Sequence, residues 1–63
     1  MTIAEKNFSP TPGDEVIVIG RDHPQFNQIG TFVGMTHALG VARARVRIDG
    51  AVYLCDPADL VEN

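Results

Sequence analysis

The protein has 63 residues, of which 44% are hydrophobic and 21% are charged, and its formal net charge is −3. A chain of this length forms a single domain that buries only about 60% of the surface its unfolded chain exposes. The lone cysteine, Cys55, excludes an intramolecular disulfide, and the acidic balance argues against nonspecific binding to phosphate backbones. The composition therefore indicates one small soluble domain that needs closure of a sheet, or assembly, for its stability.

No apolar run approaches the length of about 18 residues that a membrane-spanning helix needs. The first six residues, Met-Thr-Ile-Ala-Glu-Lys, lack the basic segment and apolar core of a secretory signal. These observations predict a cytoplasmic protein without membrane insertion.

Residues 1–12 are expected to form an extended tail, because Pro10 and Pro12 disfavour helix and remove two backbone donors. Phe8 is the only large aromatic residue of this tail. It either packs over an open end of the domain or anchors a partner. The folded domain is then expected to span residues 13–63.

The first strand is predicted from Glu15 to Gly20. Every position from 16 to 19 is apolar, so both faces of this strand need cover. Either the tail supplies that cover, or Ile17 and Ile19 lie in an interface. Residues 21–28 follow as a polar loop that contains Pro24 and Phe26.

Gly30 opens the predicted second strand, where a residue without Cβ permits a bulge or a close backbone approach. Gly34 is expected to supply a second bend, and residues 36–40 are expected to form a connection. The third strand, Val41 to Ile48, alternates strictly between apolar residues and arginines. A hairpin turn at residues 49–50 and a fourth strand, Ala51 to Cys55, complete this region.

The pairing of the third and fourth strands has two solutions. A two-residue loop would pair Arg47 with Val52 and Arg45 with Leu54, which places apolar residues on the arginine face. A three-residue loop with a bulge would pair residues 48 with 52 and 46 with 54. The second register is preferred because it buries Val52 and Leu54 and leaves Tyr53 beside Arg47.

Residues 56–59 then predict one tight helical turn, and Leu60-Val61 a short last strand that closes a barrel. At this point the pattern resembles the KOW-type SH3-like small β-barrels over about residues 12–62. The residues that carry the resemblance are Pro12-Gly13-Asp14, Val16, Val18, Gly30-Thr31-Phe32 and Pro57-Ala58-Asp59-Leu60-Val61.

The resemblance implies a five-stranded SH3-like barrel with RNA or protein contacts through its loops. The hairpin from Arg21 to Phe32 is also similar to the small-barrel stromal subunit of photosystem I, which helps to dock an electron carrier.

Residues with catalytic or metal-binding chemistry are few and dispersed. His23, His37 and Cys55 have no local spacing that would place two ligands on one turn, and the carboxylates are not paired in sequence. We therefore expect no enzyme activity, no cofactor and no metal. An enzyme built at the axis of a homo-oligomer is the weakest alternative.

The three arginines at a spacing of two are the strongest binding signal, and they have three interpretations. They face an acidic protein partner and steer its approach; they track the phosphates of RNA, with Tyr53 stacking on a base; or they form a solvated face paired with Asp49, Asp56 or Glu62. The apolar first strand favours a protein partner over RNA.

The sequence therefore predicts a non-catalytic interaction module, an accessory subunit that docks onto a larger protein assembly. RNA binding is the alternative function, and a homo-oligomer is a further option. The predicted partner-binding residues are Arg43, Arg45, Arg47, Tyr53, Ile17, Ile19 and Phe26.

Overall fold

The computed structural model of the protein describes residues 9–63, so the predictions for residues 1–8, including Phe8, lie outside the described part. Five antiparallel strands form one sheet: β1 Glu15–Val18, β2 Ile29–Ala38, β3 Val41–Ile48, β4 Ala51–Cys55 and β5 Leu60–Glu62. A 3₁₀ turn, Pro57–Asp59, separates β4 from β5. The all-β prediction is confirmed, and β3 and β4 have the predicted bounds, whereas β1 ends two residues earlier than expected.

The strand order in the sheet is β4-β3-β2-β1-β5. Among the described strands, β5 pairs only with β1, where Val18 lies opposite Leu60 and Val16 opposite Glu62. The two edge strands, β4 and β5, do not pair with each other, so the sheet is not closed. The predicted last strand is present, but it forms an edge instead of completing a ring of hydrogen bonds.

One face of the sheet carries the hydrophobic core, which we call the inner face. Successive residues of a strand point to opposite faces, so the alternation in β3 directs every second side chain inward. The buried residues of the described chain are all apolar: Val16, Val18, Phe32, Ala44, Val46, Ile48, Cys55 and Leu60. Strand β1, predicted to need cover on both faces, buries Val16 and Val18 on this inner face.

Gly30 allows β2 to approach β3 closely. A Cβ at this position would lie 2.5 Å from Val46 Cγ1 and 2.8 Å from the carbonyl oxygen of Arg47. The expected close approach at Gly30 is therefore confirmed. The pairing register of β2 and β3 shifts between Phe32 and Gly34, which is the irregularity expected near Gly34.

The β2–β3 connection is shorter than predicted. Residues 36–38 continue β2, and only Leu39 and Gly40, with φ angles of 55° and 76°, form the turn. Two consecutive positive φ angles are typical of a two-residue type I′ hairpin. The prediction of a five-residue connection was wrong, because the pairing of Ala38 with Val41 leaves room for two residues only.

The loop before β2 and the turn before β5 lie where the sequence pattern predicted them. Residues 21–27 form successive turns, with Phe26 N donating to the carbonyl of His23 at 3.0 Å. Asp56 caps the 3₁₀ turn through a carboxylate that accepts the Ala58 N–H at 3.1 Å. Short polar side chains compete for nearby backbone donors in this way, which fixes such turns locally.

Candidate interaction surface

Three arginines of β3 lie on the outer face of the sheet, opposite the core. Arg45 and Arg47 are exposed and Arg43 is half-buried, while the residues between them are buried. Alternate residues of a strand lie about 6.6–7 Å apart, so the three side chains form a row. The predicted arginine stripe is therefore present as a continuous feature of one strand.

The neighbouring strand β4 contributes apolar side chains to the same face. Arg47 lies opposite Val52 and Arg45 opposite Leu54, and the side chains of Val52 and Leu54 are 47% and 56% exposed. The preferred three-residue register was wrong, and the rejected two-residue register is the observed one. Val52 and Leu54 are thus residues of the outer face, whereas the preferred register would have placed them in the core.

The physical reason for the observed register is the conformation of the turn between β3 and β4. Asp49 and Gly50 both adopt positive φ angles, 52° and 85°, which is the type I′ conformation that Asp-Gly sequences favour. The twist of this turn matches the twist of the paired strands. Local turn geometry therefore decided the register against the burial of two aliphatic side chains.

Tyr53 occupies the inner face as a consequence of this register. It lies opposite Val46 and packs, half-buried, against the core. The expected position of Tyr53 beside Arg47 is therefore wrong. The arginine row has no aromatic neighbour on β4.

On the other side of β3, strand β2 presents small side chains beside the arginines. Thr31 lies opposite Arg47, Gly34 opposite Arg45 and Thr36 opposite Arg43. On the outer face, the arginines consequently lie between the aliphatic side chains of β4 and the small side chains of β2. We call the set Arg43, Arg45, Arg47, Val52 and Leu54 the arginine face.

The positive charges of the arginine face are uncompensated within residues 9–63. None of the three guanidinium groups takes part in a hydrogen bond or ion pair there. Pairing with Asp49, Asp56 or Glu62, which belonged to one of the three interpretations of the arginines, does not occur. A row of like charges without counter-charges attracts acidic groups and disfavours basic ones.

The other predicted partner-binding residues, Ile17, Ile19 and Phe26, lie in β1 or in the segment that connects it to β2. Ile17 lies opposite Ile29 and Val61, and it is half-buried between these two exposed side chains. Ile19 and Phe26, in the segment between β1 and β2, are 45% and 44% exposed. Ile17 and Ile29 share the outer face with the arginines, since Thr31 connects the two regions through its pairing with Arg47.

His23 and Cys55 are brought together although they are far apart in the sequence. Cys55 Sγ lies 3.4 Å from His23 Nε2, and His23 Nδ1 accepts the Gln25 N–H at 2.9 Å. Because Nδ1 accepts a hydrogen bond and therefore carries no proton, we assign the ring proton to Nε2, which donates to sulfur. The sequence could not show this contact, because it depends on how the loop folds against the end of β4.

The environment of Cys55 beside His23 favours the protonated thiol over the reactive thiolate. Burial raises the pKa of the Cys55 thiol, and the Asp59 carboxylate raises it further. Nucleophilic cysteines need the opposite shift, toward the thiolate. Within residues 9–63, no three histidine, cysteine or acidic side chains are grouped as metal ligands.

Residues 9–63 contain no helix with the length and apolar character needed to cross a membrane. No protein-family model, no curated protein and no solved structure matches the chain.

Proposed function

We propose that this protein is a non-catalytic interaction module, an accessory subunit that docks onto a larger protein assembly through its arginine face. The observation that carries the proposal is the row of three arginines, unpaired among the described residues, beside two exposed aliphatic residues of β4. A partner that fits this surface is acidic and carries apolar side chains between its carboxylates. We also propose an SH3-like architecture, supported by the strand order and by the 3₁₀ turn before β5.

The composition of the surface favours a protein partner. Charged pairs across an interface steer association and fix the register of the two partners, whereas apolar contacts supply most of the affinity. Arg45 beside Leu54 and Arg47 beside Val52 offer both kinds of contact within one strand pair. The apolar patch of Ile17, Ile29 and Val61 extends the same face.

RNA is the less favoured ligand for two reasons. Tyr53, the aromatic that would stack on a base, packs on the inner face, and the chain carries a net charge of −3. RNA binding through three arginines would also weaken with the logarithm of salt concentration at a slope of about −2. This dependence makes RNA a measurable outcome of the test below.

The test is recovery of partners by the tagged protein from its native cytosol, with and without nuclease. The substitution Arg45→Gln removes one charge from the arginine face, and Arg21→Gln removes one from the exposed loop as the matched control. We expect a stoichiometric protein complex that resists nuclease, is weakened several-fold by Arg45→Gln and is unchanged by Arg21→Gln.

The triple substitution of Arg43, Arg45 and Arg47 by Ser extends this test. We expect it to abolish docking while the circular dichroism spectrum stays that of the wild type. Binding of every partner by the triple variant would overturn the proposal, and loss of the bound material after nuclease treatment would replace it with RNA binding.

A further inference from the structure

The two edges of the sheet differ in how well they are protected against pairing with another chain. Strand β5 is short, three residues, and includes Glu62, and both features discourage strand addition. Strand β4, Ala51–Cys55, contains neither charge nor proline. An uncharged edge of five residues is a template for another strand.

The two-residue turn at Asp49-Gly50 determines which backbone N–H and C=O groups of β4 do not bond to β3. In a two-residue hairpin the residues that flank the turn, here Ile48 and Ala51, form a hydrogen-bonded pair, and such pairs then alternate along the strands. Tyr53 consequently bonds to Val46 of β3. The N–H and C=O groups of Val52 and Leu54 point away from β3, and no described strand other than β3 pairs with β4.

We propose that two copies of this chain pair antiparallel through β4, with Val52 of each copy opposite Leu54 of the other. In this register each Val52–Leu54 pair exchanges two hydrogen bonds, and the two Tyr53 residues face each other at the two-fold axis. The exposed side chains of Val52 and Leu54 from both copies then form one apolar cluster on the outer face. A continuous sheet of two copies results.

The charges of the arginine face permit this arrangement. Three strand spacings of about 4.8 Å separate β3 of one copy from β3 of the other, so their arginine rows lie about 14 Å apart. This separation exceeds the screening length of about 8 Å at physiological ionic strength. We therefore expect dimerisation to strengthen modestly as salt rises, whereas docking of an acidic partner weakens.

The small size of the hydrophobic core also favours self-association. Half of the eight buried hydrophobic residues of the described chain are valine or alanine, and only Phe32 among them is aromatic. A domain with so small a core gains from assembly. Strand pairing of five residues buries less than a standard interface, so we expect a dissociation constant of micromolar order or weaker.

The first experiment uses the purified full-length protein in reducing buffer. Sedimentation velocity across a dilution series should show a monomer–dimer equilibrium. Amide hydrogen exchange should show that Val52 and Leu54 gain protection with concentration, while Tyr53 is protected throughout. A monomer at all concentrations, or a dimer whose Val52 and Leu54 amides exchange freely, would overturn the inference.

Variants test the edge directly. Leu54→Pro removes an outward N–H without removing a bond to β3, and Leu54→Thr is the matched control that keeps this donor. We expect Leu54→Pro to be monomeric and Leu54→Thr to retain a weaker dimer. Val52→Lys places a charge on the edge and should also give a folded monomer, which covers the case in which proline unfolds the strand.

The experiment separates this inference from the proposed function, because it needs no partner. Open-ended oligomers would indicate pairing of β4 with β5 of another copy and would refute the two-fold arrangement. An unchanged dimer in Val52→Lys would refute it as well. Loss of cellular docking in the arginine variants, with dimerisation intact, would leave both conclusions standing.

Discussion

The inner and outer faces of the sheet use the same strands but differ in composition and in packing. The inner face buries an entirely apolar set of side chains, and Gly30 brings two strands into close contact there. The outer face carries three arginines that form no ion pair with any residue of the range 9–63, together with aliphatic side chains that remain about half exposed. In β3, alternate residues point to the two faces, so that apolar side chains line the inner face and arginines line the outer face.

Under the proposed function, stability and recognition are carried by different residues of the same strands. A residue of the inner face changes the free energy of unfolding when it is substituted, because its neighbours cannot move into new space. A substitution at an exposed residue of the outer face is expected to have little effect on folding and, if the proposal holds, to change binding. Substitutions at adjacent positions should therefore have very different consequences.

The largest effect is expected from Gly30→Ala. The added Cβ would overlap Val46 and the carbonyl group of Arg47, and backbone atoms cannot yield as a flexible side chain can. We expect a loss of about 3 kcal/mol in the free energy of unfolding, measured with urea. Thr31→Ala, the next residue and one of the outer face, is the control and should lose much less.

Next comes one substitution made on each face. Val46→Ala removes two buried methyl groups from a side chain with 0% exposure and should cost about 2 kcal/mol through lost burial and the cavity left behind. Val52→Ala, on β4, should change the stability of the monomer by less than about 0.5 kcal/mol. Equal losses in the two variants would contradict the division between the faces.

A smaller effect is expected at high pH. The raised pKa of the buried Cys55 thiol means that the unfolded chain loses this proton at a lower pH than the folded chain does. The contribution of Cys55 to stability is thus fully present below its ordinary pKa of about 8.5 and declines as pH rises above it. Thermal unfolding of wild type and Cys55→Ala at neutral and alkaline pH should show the additional decline in wild type only.

The smallest effect concerns repulsion within the arginine row. Arg45 lies about 6.6–7 Å along the strand from both neighbouring arginines, and at that distance like charges in water repel by about 0.6 kcal/mol before screening. Arg45→Gln should therefore stabilise the monomer by a few tenths of a kcal/mol at low salt, and by less at high salt. Arg45→Lys keeps the charge and should show no such gain.

The sequence predicted the strands well because each depends on local signals. The alternation of β3, the glycine that opens β2 and the Asp49-Gly50 turn are all visible in short segments. The register of β4 was mispredicted because burial of Val52 and Leu54 was weighed above turn geometry. An Asp-Gly dipeptide is a signal for the two-residue turn, so this error was avoidable.

Other features of the site had no local signal. The contact between His23 and Cys55 joins a loop to the end of a strand 32 residues later. That the arginines form no ion pair with Asp49, Asp56 or Glu62 likewise depends on where the fold places these carboxylates. The partner-binding roles of Ile17, Ile19 and Phe26 remain predictions, and Tyr53 is displaced from the arginine face.

The pairing of β1 with β5 has a consequence for the order in which the chain folds. Two-residue turns connect β2, β3 and β4, so their contacts form at small cost in chain entropy, whereas Val16–Val18 must find Leu60–Glu62 across most of the chain. We expect the three-stranded meander to form early and the β1–β5 seam last. In hydrogen exchange under native conditions the seam should open at lower free energy than Val46, and the reverse order would contradict this folding sequence.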